Sequence, residues 1–284
     1  MNKILACIDR SIYSQSVCDY AAWAALRLGA PLEFVHVLNR RSDTGGLRDL
    51  SGSIGLGSQE KLLSELAQLD EQRNKVAQQH GRQMLDVAVR AAREQGVGSV
   101  GQHLRHGTLV DALIDMEKDV RMFVLGKRGE HADFSKSHVG SELERTVRAV
   151  HRPLLVASRQ FTPIEKFLIA FDGSETMRKG VEIIVAGPLF RGLSCHLVMA
   201  GADSPEARAQ IRWAQERLVG AGYEVHSSIR AGHADAVIGQ YVSSNSIDLL
   251  VMGAYGHSRI RQLIVGSTST AMIRTCLIPV LLLR

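Results

Sequence analysis

The sequence predicts an α/β fold: two tandem doubly wound, mostly parallel five-stranded sheets with helices on both faces. Three observations predict it. Apolar runs of strand length alternate with helix-like segments along the chain, the pattern of right-handed βαβ crossovers in a sheet covered on both sides. The 284 residues exceed one ordinary domain of about 100–200 residues. The chain also repeats itself: residues 3–11 (Lys-Ile-Leu-Ala-Cys-Ile-Asp-Arg-Ser) match 166–174 (Lys-Phe-Leu-Ile-Ala-Phe-Asp-Gly-Ser), 122–129 match 249–256, and 152–156 match 278–282. Three matches in one order mark a tandem duplication whose unit is a whole domain.

In the first copy, 3–8 reads as strand one and 14–28 as a helix. Residues 32–38 read as strand two, and 67–94 as a long helix by composition. Strand three follows over 100–104, a helix over 109–117, strand four over 122–125, a helix over 142–150 and strand five over 154–157. The second copy repeats this order from Lys166. The polar, Pro163-containing stretch 158–165 is the expected boundary, giving domains 1–158 and 165–284. Asp9 and Asp172 are offset by 163 residues but Gly126 and Gly253 by 127, so copy one carries 36 extra residues, all after Leu38. Residues 41–58 are rich in Gly and Ser. They read either as a surface loop feeding a lengthened helix or as a lid over the first site.

The most informative stretch is 253–270. An apolar run, 247–252, leads into Gly253-Ala-Tyr-Gly256, a short loop, then Gly266-Ser267-Thr268 opening a helix-like segment. Unpaired N–H groups and the positive dipole end at a helix start suit a phosphate, and glycines let backbone approach it closely. The spacing Gly-x2-Gly-x9-Gly-Ser matches neither the Walker-type loop nor the dinucleotide fingerprint. It resembles the nucleotide-binding signature of the ATP-binding branch of the universal stress protein family. That resemblance covers almost the whole chain as a tandem pair. It is strongest over 166–284 and weakest through 41–69.

The resemblance implies an ATP site in the second copy. Phosphates would dock on Gly253, Gly256, Gly266, Ser267 and Thr268, and adenosine would lie between Asp172, Ala200 and Met252, with Mg²⁺ able to accompany the phosphates. Asp172, at the end of strand one, could instead cap the following helix. Met252 and Ala200 could equally be ordinary strand-end residues. Copy one offers a weaker second site: Asp9, Val37, Gly126, Gly129, Gly140 and Ser141. Its interval is ten residues rather than nine, and Glu130 and Asp133 would repel phosphate, with Lys127 and Arg128 to offset them. This copy reads as a degenerate site, a site for another ligand, or a one-residue bulge that still binds ATP.

Other function classes are narrowed by composition. The net charge is +5, but Lys and Arg are dispersed and no aromatics interleave with them, so no nucleic-acid groove is expected. No run of 18 or more apolar residues occurs, so no membrane span is expected. The first residues reach Asp9 too soon for a secretory signal. Cys7, Cys18, Cys195 and Cys276 form no Cys-x2-Cys pair, which fits buried thiols in a reducing cytoplasm. His36, His106 and His131 could converge beside Asp9, but His103 and His106, three apart on a strand, face opposite sides. No metal site is assigned. No Gly-x-Ser-x-Gly elbow or recognisable acid–base pair occurs, so no catalytic residue is assigned.

The resemblance therefore implies a cytoplasmic stress-response module that binds ATP in its second domain. The alternatives are a slow ATPase and a small-molecule or metal carrier built on copy one. Relatives pair their last strands, so 154–157 and 280–283 are expected to join the two copies as an intramolecular pseudo-dimer, with Leu155 and Leu281 buried there and further homo-oligomerisation left open.

Overall fold

A computed structural model describes residues 2–38, 56–129, 141–254 and 272–284, with backbone alone for 56–63 and 141. In the first copy the elements are β1 (Lys3–Cys7), α1 (Ser14–Leu28), β2 (Leu32–Leu38), α2 (Leu56–Glu94), β3 (Val100–His106), α3 (Leu109–Met116), β4 (Val120–Gly126), α4 (Ser141–Ala149) and β5 (Leu154–Ala157). The second copy supplies β6 (Lys166–Ala170), α5 (Glu175–Ala186), β7 (Ser194–Ala200), α6 (Pro205–Gly220), β8 (Val225–Arg230), α7 (Ala234–Asn245), β9 (Leu249–Gly253) and β10 (Val280–Leu283).

The halves do not form two separate sheets. They merge into one ten-stranded sheet with order β3-β2-β1-β4-β5-β10-β9-β6-β7-β8. All pairs within a half are parallel, and one antiparallel pair, β5 with β10, joins the halves. In that pair Val280 stands opposite Val156, Leu281 opposite Leu155 and Leu282 opposite Leu154. Each half thereby covers the strand edge that the other would leave open. The intramolecular pseudo-dimer is thus present within one chain.

Strand composition explains this burial. β5 (Leu-Leu-Val-Ala) and β10 (Val-Leu-Leu-Leu) are buried at every position. Such continuous apolar runs belong to strands covered on both faces. Two apolar layers result, one on each face of the sheet. Leu155, Phe167, Val251 and Leu281 lie in one, and Leu154, Leu168, Leu250 and Leu282 in the other. Alternate side chains of a strand point to opposite faces, so both layers run across the junction between the copies.

The connecting stretch is fastened rather than free. Ser16 Oγ donates to the Ser158 carbonyl at 2.6 Å, and Tyr20 Oη lies 2.9 Å from Ser158 Oγ. The Tyr20 ring also meets Phe161 edge-on, with centroids 4.8 Å apart. At its far end the backbone N–H groups of Glu165 and Lys166 both donate to Asp248 Oδ2, at 3.0 and 2.9 Å.

α2 spans 39 residues against 16 for its counterpart α6, so a large part of the extra length in copy one is helix. It begins at Leu56, not near residue 67 as composition suggested, and is about 58 Å long. Its later turns pack on β2 and β3, where Leu85 and Ala92 are buried. Gly81 permits the close approach, because a Cβ there would lie 2.8 Å from His36 Cδ2. Over 64–80 the helix is largely exposed, Leu69 and Val76 being half accessible. Residues 39–55 lie outside the described residues, so the lid alternative is not addressed by the fold.

Candidate functional site

In each half the strand order reverses between strands one and four. β6 runs beside β7 on one side and β9 on the other, as β1 does with β2 and β4. The crevice beyond the carboxyl ends at such a reversal is where open α/β sheets bind ligands. Asp172 follows β6, Met252 and Gly253 close β9, and Ala200 closes β7. Four of the residues singled out in copy two therefore come to one edge of three adjacent strands. Gly256, Gly266, Ser267 and Thr268 lie outside the described residues.

Local hydrogen bonding assigns the turn after β6. Asp172 Oδ1 accepts the Ser174 N–H at 3.0 Å, forming an Asx turn. Gly173, with φ +72°, makes that turn in the left-handed region. Ser174 is the N-cap of α5, its Oγ accepting the Met177 N–H at 3.2 Å. The capping role considered for Asp172 therefore falls to Ser174. Arg178 reaches back, its Nε donating to the Gly173 carbonyl at 3.2 Å, while its guanidinium lies 4.7 Å from the Trp213 ring centre. Trp213 in turn stacks on Phe171. This packing fixes the strand-to-helix corner that carries Asp172.

Copy one repeats the turn but not its surroundings. Asp9 Oδ1 accepts the Ser11 N–H at 2.9 Å. The difference is at the glycine closing strand four. A Cβ on Gly126 would lie 2.7 Å from Tyr13 Cβ, too close for any real side chain. A Cβ on Gly253 would meet Met177 Sδ at 3.5 Å and Thr176 Cγ2 at 3.7 Å, ordinary contacts. The 163-residue offset aligns Tyr13 with Thr176. The close approach of Tyr13 at its Cβ thus accounts for glycine at 126, whereas no described neighbour requires glycine at 253.

The loop after β4 also closes inward. Gly129 sits so near Asp9 that a Cβ would lie 3.2 Å from its Oδ2. Lys127 does not stand in the crevice as a phosphate partner; its ammonium donates to the Cys276 carbonyl of the other half. Burial lowers its pKa below the ordinary lysine value, with Arg128 adding to the fall and Cys276 opposing it. Val37 lies in β2 beside Arg105 of β3. Ser141 begins α4. Gly140 lies outside the described residues, as do Glu130, His131 and Asp133.

The histidines resolve into separate roles. His36 is buried, with Nδ1 2.8 Å from the Ile8 carbonyl oxygen. His103 Nε2 lies 3.0 Å from Glu33 Oε2, which also pairs with Lys3 at 2.6 Å. His103 and His106 both fall within β3, so they do face opposite sides. Among the described residues, no group of three or more His, Cys, Asp or Glu is placed to hold a metal ion. Among them, too, no helix is long and apolar enough to cross a membrane.

Sequence reasoning missed Tyr13 and the outward course of Lys127. The contact at Tyr13 left no local signal, since the clash is with its Cβ and depends on how closely the start of α1 approaches β4. Nothing local in the sequence signalled the Lys127 contact, which depends on how the copies face each other.

Comparison with known proteins agrees with this architecture. The chain is 38% identical over 287 residues to Universal stress protein Slr1230 of Synechocystis sp., with 100% of both chains covered. It is 24% identical over 310 residues to Universal stress protein Rv2005c of Mycobacterium tuberculosis, covering 98% of this chain and 95% of the relative. Its fold is similar to the crystal structure of a universal stress protein from Archaeoglobus fulgidus, with a TM-score of 0.65 at 19% identity over 99% of this chain and 95% of that one. The pattern that defines the Universal stress protein family matches residues 1–158 and again 196–284, so this chain belongs to that family as a tandem member.

Proposed function

We propose that the chain is a nucleotide-dependent stress-response module of the cytoplasm that binds one ATP, in the crevice of its C-terminal half. The observation that carries this reading is the contrast between the two strand-four glycines. Gly126 is explained by Tyr13, and Gly253 by no described neighbour. Glycine at 253, at the head of Gly-x2-Gly-x9-Gly-Ser and not demanded by any described neighbour, fits a ligand phosphate better than it fits packing.

In this reading the domains are 1–158 and 165–284. Gly253, Gly256, Gly266, Ser267 and Thr268 receive the phosphates, and Asp172, Ala200 and Met252 border the adenosine. Hydroxyls and backbone N–H groups, rather than a cluster of side-chain carboxylates, would face the phosphates. Mg²⁺ would therefore arrive with the nucleotide, held mainly by phosphate oxygens and water. The N-terminal crevice, where Tyr13 crowds Gly126 and Gly129 lies close to Asp9, serves in this reading as a structural partner. Bound ATP would act by its different affinity for two conformations rather than by turnover.

Isothermal titration of the intact chain with Mg·ATP, paired with native mass spectrometry, tests the reading. One site per chain is expected. Two equivalent sites, or none, would overturn it.

A further inference from the structure

Among the described residues Arg27 reaches the Leu189 and Arg191 carbonyls across the halves, and two further cations, Lys127 and Arg284, each end on the carboxyl-terminal turn of a helix in the other half. Lys127, just past β4, donates to the carbonyl of Cys276, which closes the helical turn at 272–275. Cys276 N–H itself donates to the Met272 carbonyl at 2.8 Å. In return Arg284, just past β10, donates to the Val147 carbonyl in the last turn of α4. Carbonyls at a helix end carry the negative pole of the backbone dipoles, so each cation is favourably placed.

The two contacts are not copies of one another. The 127-residue offset aligns Lys127 with Ala254, a small buried residue, so the C-terminal half has no counterpart. Lys127 also occupies the position after the glycine that, in the other half, heads the nucleotide motif.

We propose that Lys127 is a positioning residue that couples the nucleotide site of the C-terminal half to the grip between the halves. The proposal rests on the nucleotide reading above. Lys127 holds the end of the helical turn that follows the glycine motif in sequence, while its own backbone belongs to the N-terminal strand four. A shift of that turn on ligand binding must therefore be felt across the β5–β10 junction, and by linkage the state of the junction must alter ligand affinity.

Stability alone does not account for this lysine. Lys127 is half-buried and burial lowers its pKa from the ordinary lysine value, so the desolvation cost of holding its ammonium there offsets part of what the bond to Cys276 contributes.

The test uses the full chain and Mg·ATP. Lys127→Met keeps the stem and removes the charge. It should retain or raise the thermal midpoint while weakening ATP binding about five-fold or more. Lys127→Arg should restore most of the affinity. Arg284→Met removes the opposite contact, which grips the half without the nucleotide, and should leave ATP affinity within about two-fold. Wild-type affinity in Lys127→Met overturns the coupling alone. Equal weakening by Lys127→Met and Arg284→Met overturns it too, since general loosening then explains both. Wild-type protein that takes up no ATP overturns the site reading, and the coupling with it.

Discussion

Leu155 of β5 and Leu281 of β10 face each other across the antiparallel pair at the centre of the sheet, each almost fully buried. They belong to different copies of the repeat, yet they share one apolar layer. The junction is therefore a piece of domain core rather than a surface contact, and the halves are expected to unfold together.

Leu281→Glu puts an unpaired carboxylate into that layer. Loss of the leucine packing alone is worth about 2–5 kcal/mol, and the buried charge adds to it unless the group stays protonated. The expected outcome is a much lower midpoint in urea. Faster proteolysis of 158–165, now released from Tyr20 and Asp248, should accompany it. A variant with wild-type stability and an intact linker would show that the two copies do not depend on this pair.

The strand-four glycines should respond oppositely to alanine. Gly126→Ala forces a Cβ to 2.7 Å from Tyr13 Cβ and should cost about 1–3 kcal/mol of stability, as overpacking does. Gly253→Ala meets only ordinary contacts among the described residues and should fold with a nearly unchanged midpoint, while its methyl group would enter the proposed ligand space and weaken ATP binding. Thermal melts and titrations of both variants check this. A stable Gly126→Ala protein, or a Gly253→Ala protein with wild-type affinity, would break the contrast.

Much of this fold was legible because its strands are short apolar runs with distinct ends. β2 and β5 have the predicted bounds, 32–38 and 154–157, since turn residues flank both. α2 begins eleven residues before the expected start. Over 64–80 it buries little, so no apolar stripe against the sheet carries the helical pattern towards its beginning. The pseudo-dimer was legible because two edge strands in one chain have an obvious way to cover each other. The fusion into a single ten-stranded sheet follows from that pairing, but the expectation of two sheets did not carry it through. At the site, the turn aspartates Asp9 and Asp172 were visible from the Asp-x-Ser repeat. Tyr13 was not, because its consequence appears only where α1 meets β4.

Alkaline pH should destabilise the fold. Burial pushes Cys18 up to about 12, with Asp19 contributing, and pushes Cys195 up to about 12. Cys7 is raised further by burial and then by Asp9, and Cys276 is raised by burial. Burial likewise raises Tyr223 and Tyr241. An acid with a raised folded pKa keeps its proton in the native state but loses it in the unfolded chain. Its stabilising share is complete below the unfolded pKa and is lost as pH rises towards the folded one. Lys127, shifted downward, works in the opposite direction but is a single group. The melting temperature should therefore fall as pH is raised from about 8.5 towards 12. Thiol reagents should label native Cys18 and Cys195 far more slowly than the unfolded chain. A flat pH profile, or fast native labelling, would contradict the burial assigned to these thiols.

Asp172 and Asp9 make the same Asx turn, accepting from Ser174 and Ser11 at 3.0 and 2.9 Å, so one substitution can separate turn geometry from ligand binding. Asparagine keeps a side-chain oxygen that accepts the same N–H and removes the charge. Asp172→Asn and Asp9→Asn should therefore both fold with midpoints near wild type. If Asp172 borders the adenosine, as the resemblance implies, its charged acceptor is worth about 1.5–3 kcal/mol when it bonds a ligand N–H or O–H. Replacement by a neutral amide oxygen should then weaken ATP binding about ten-fold. Asp9→Asn should leave affinity unchanged if the single ATP site lies in the C-terminal half, as proposed. Titrating both variants against wild type decides the matter. Equal losses in the two would point to ATP in both halves, and a loss only in Asp9→Asn would move the site to the N-terminal half.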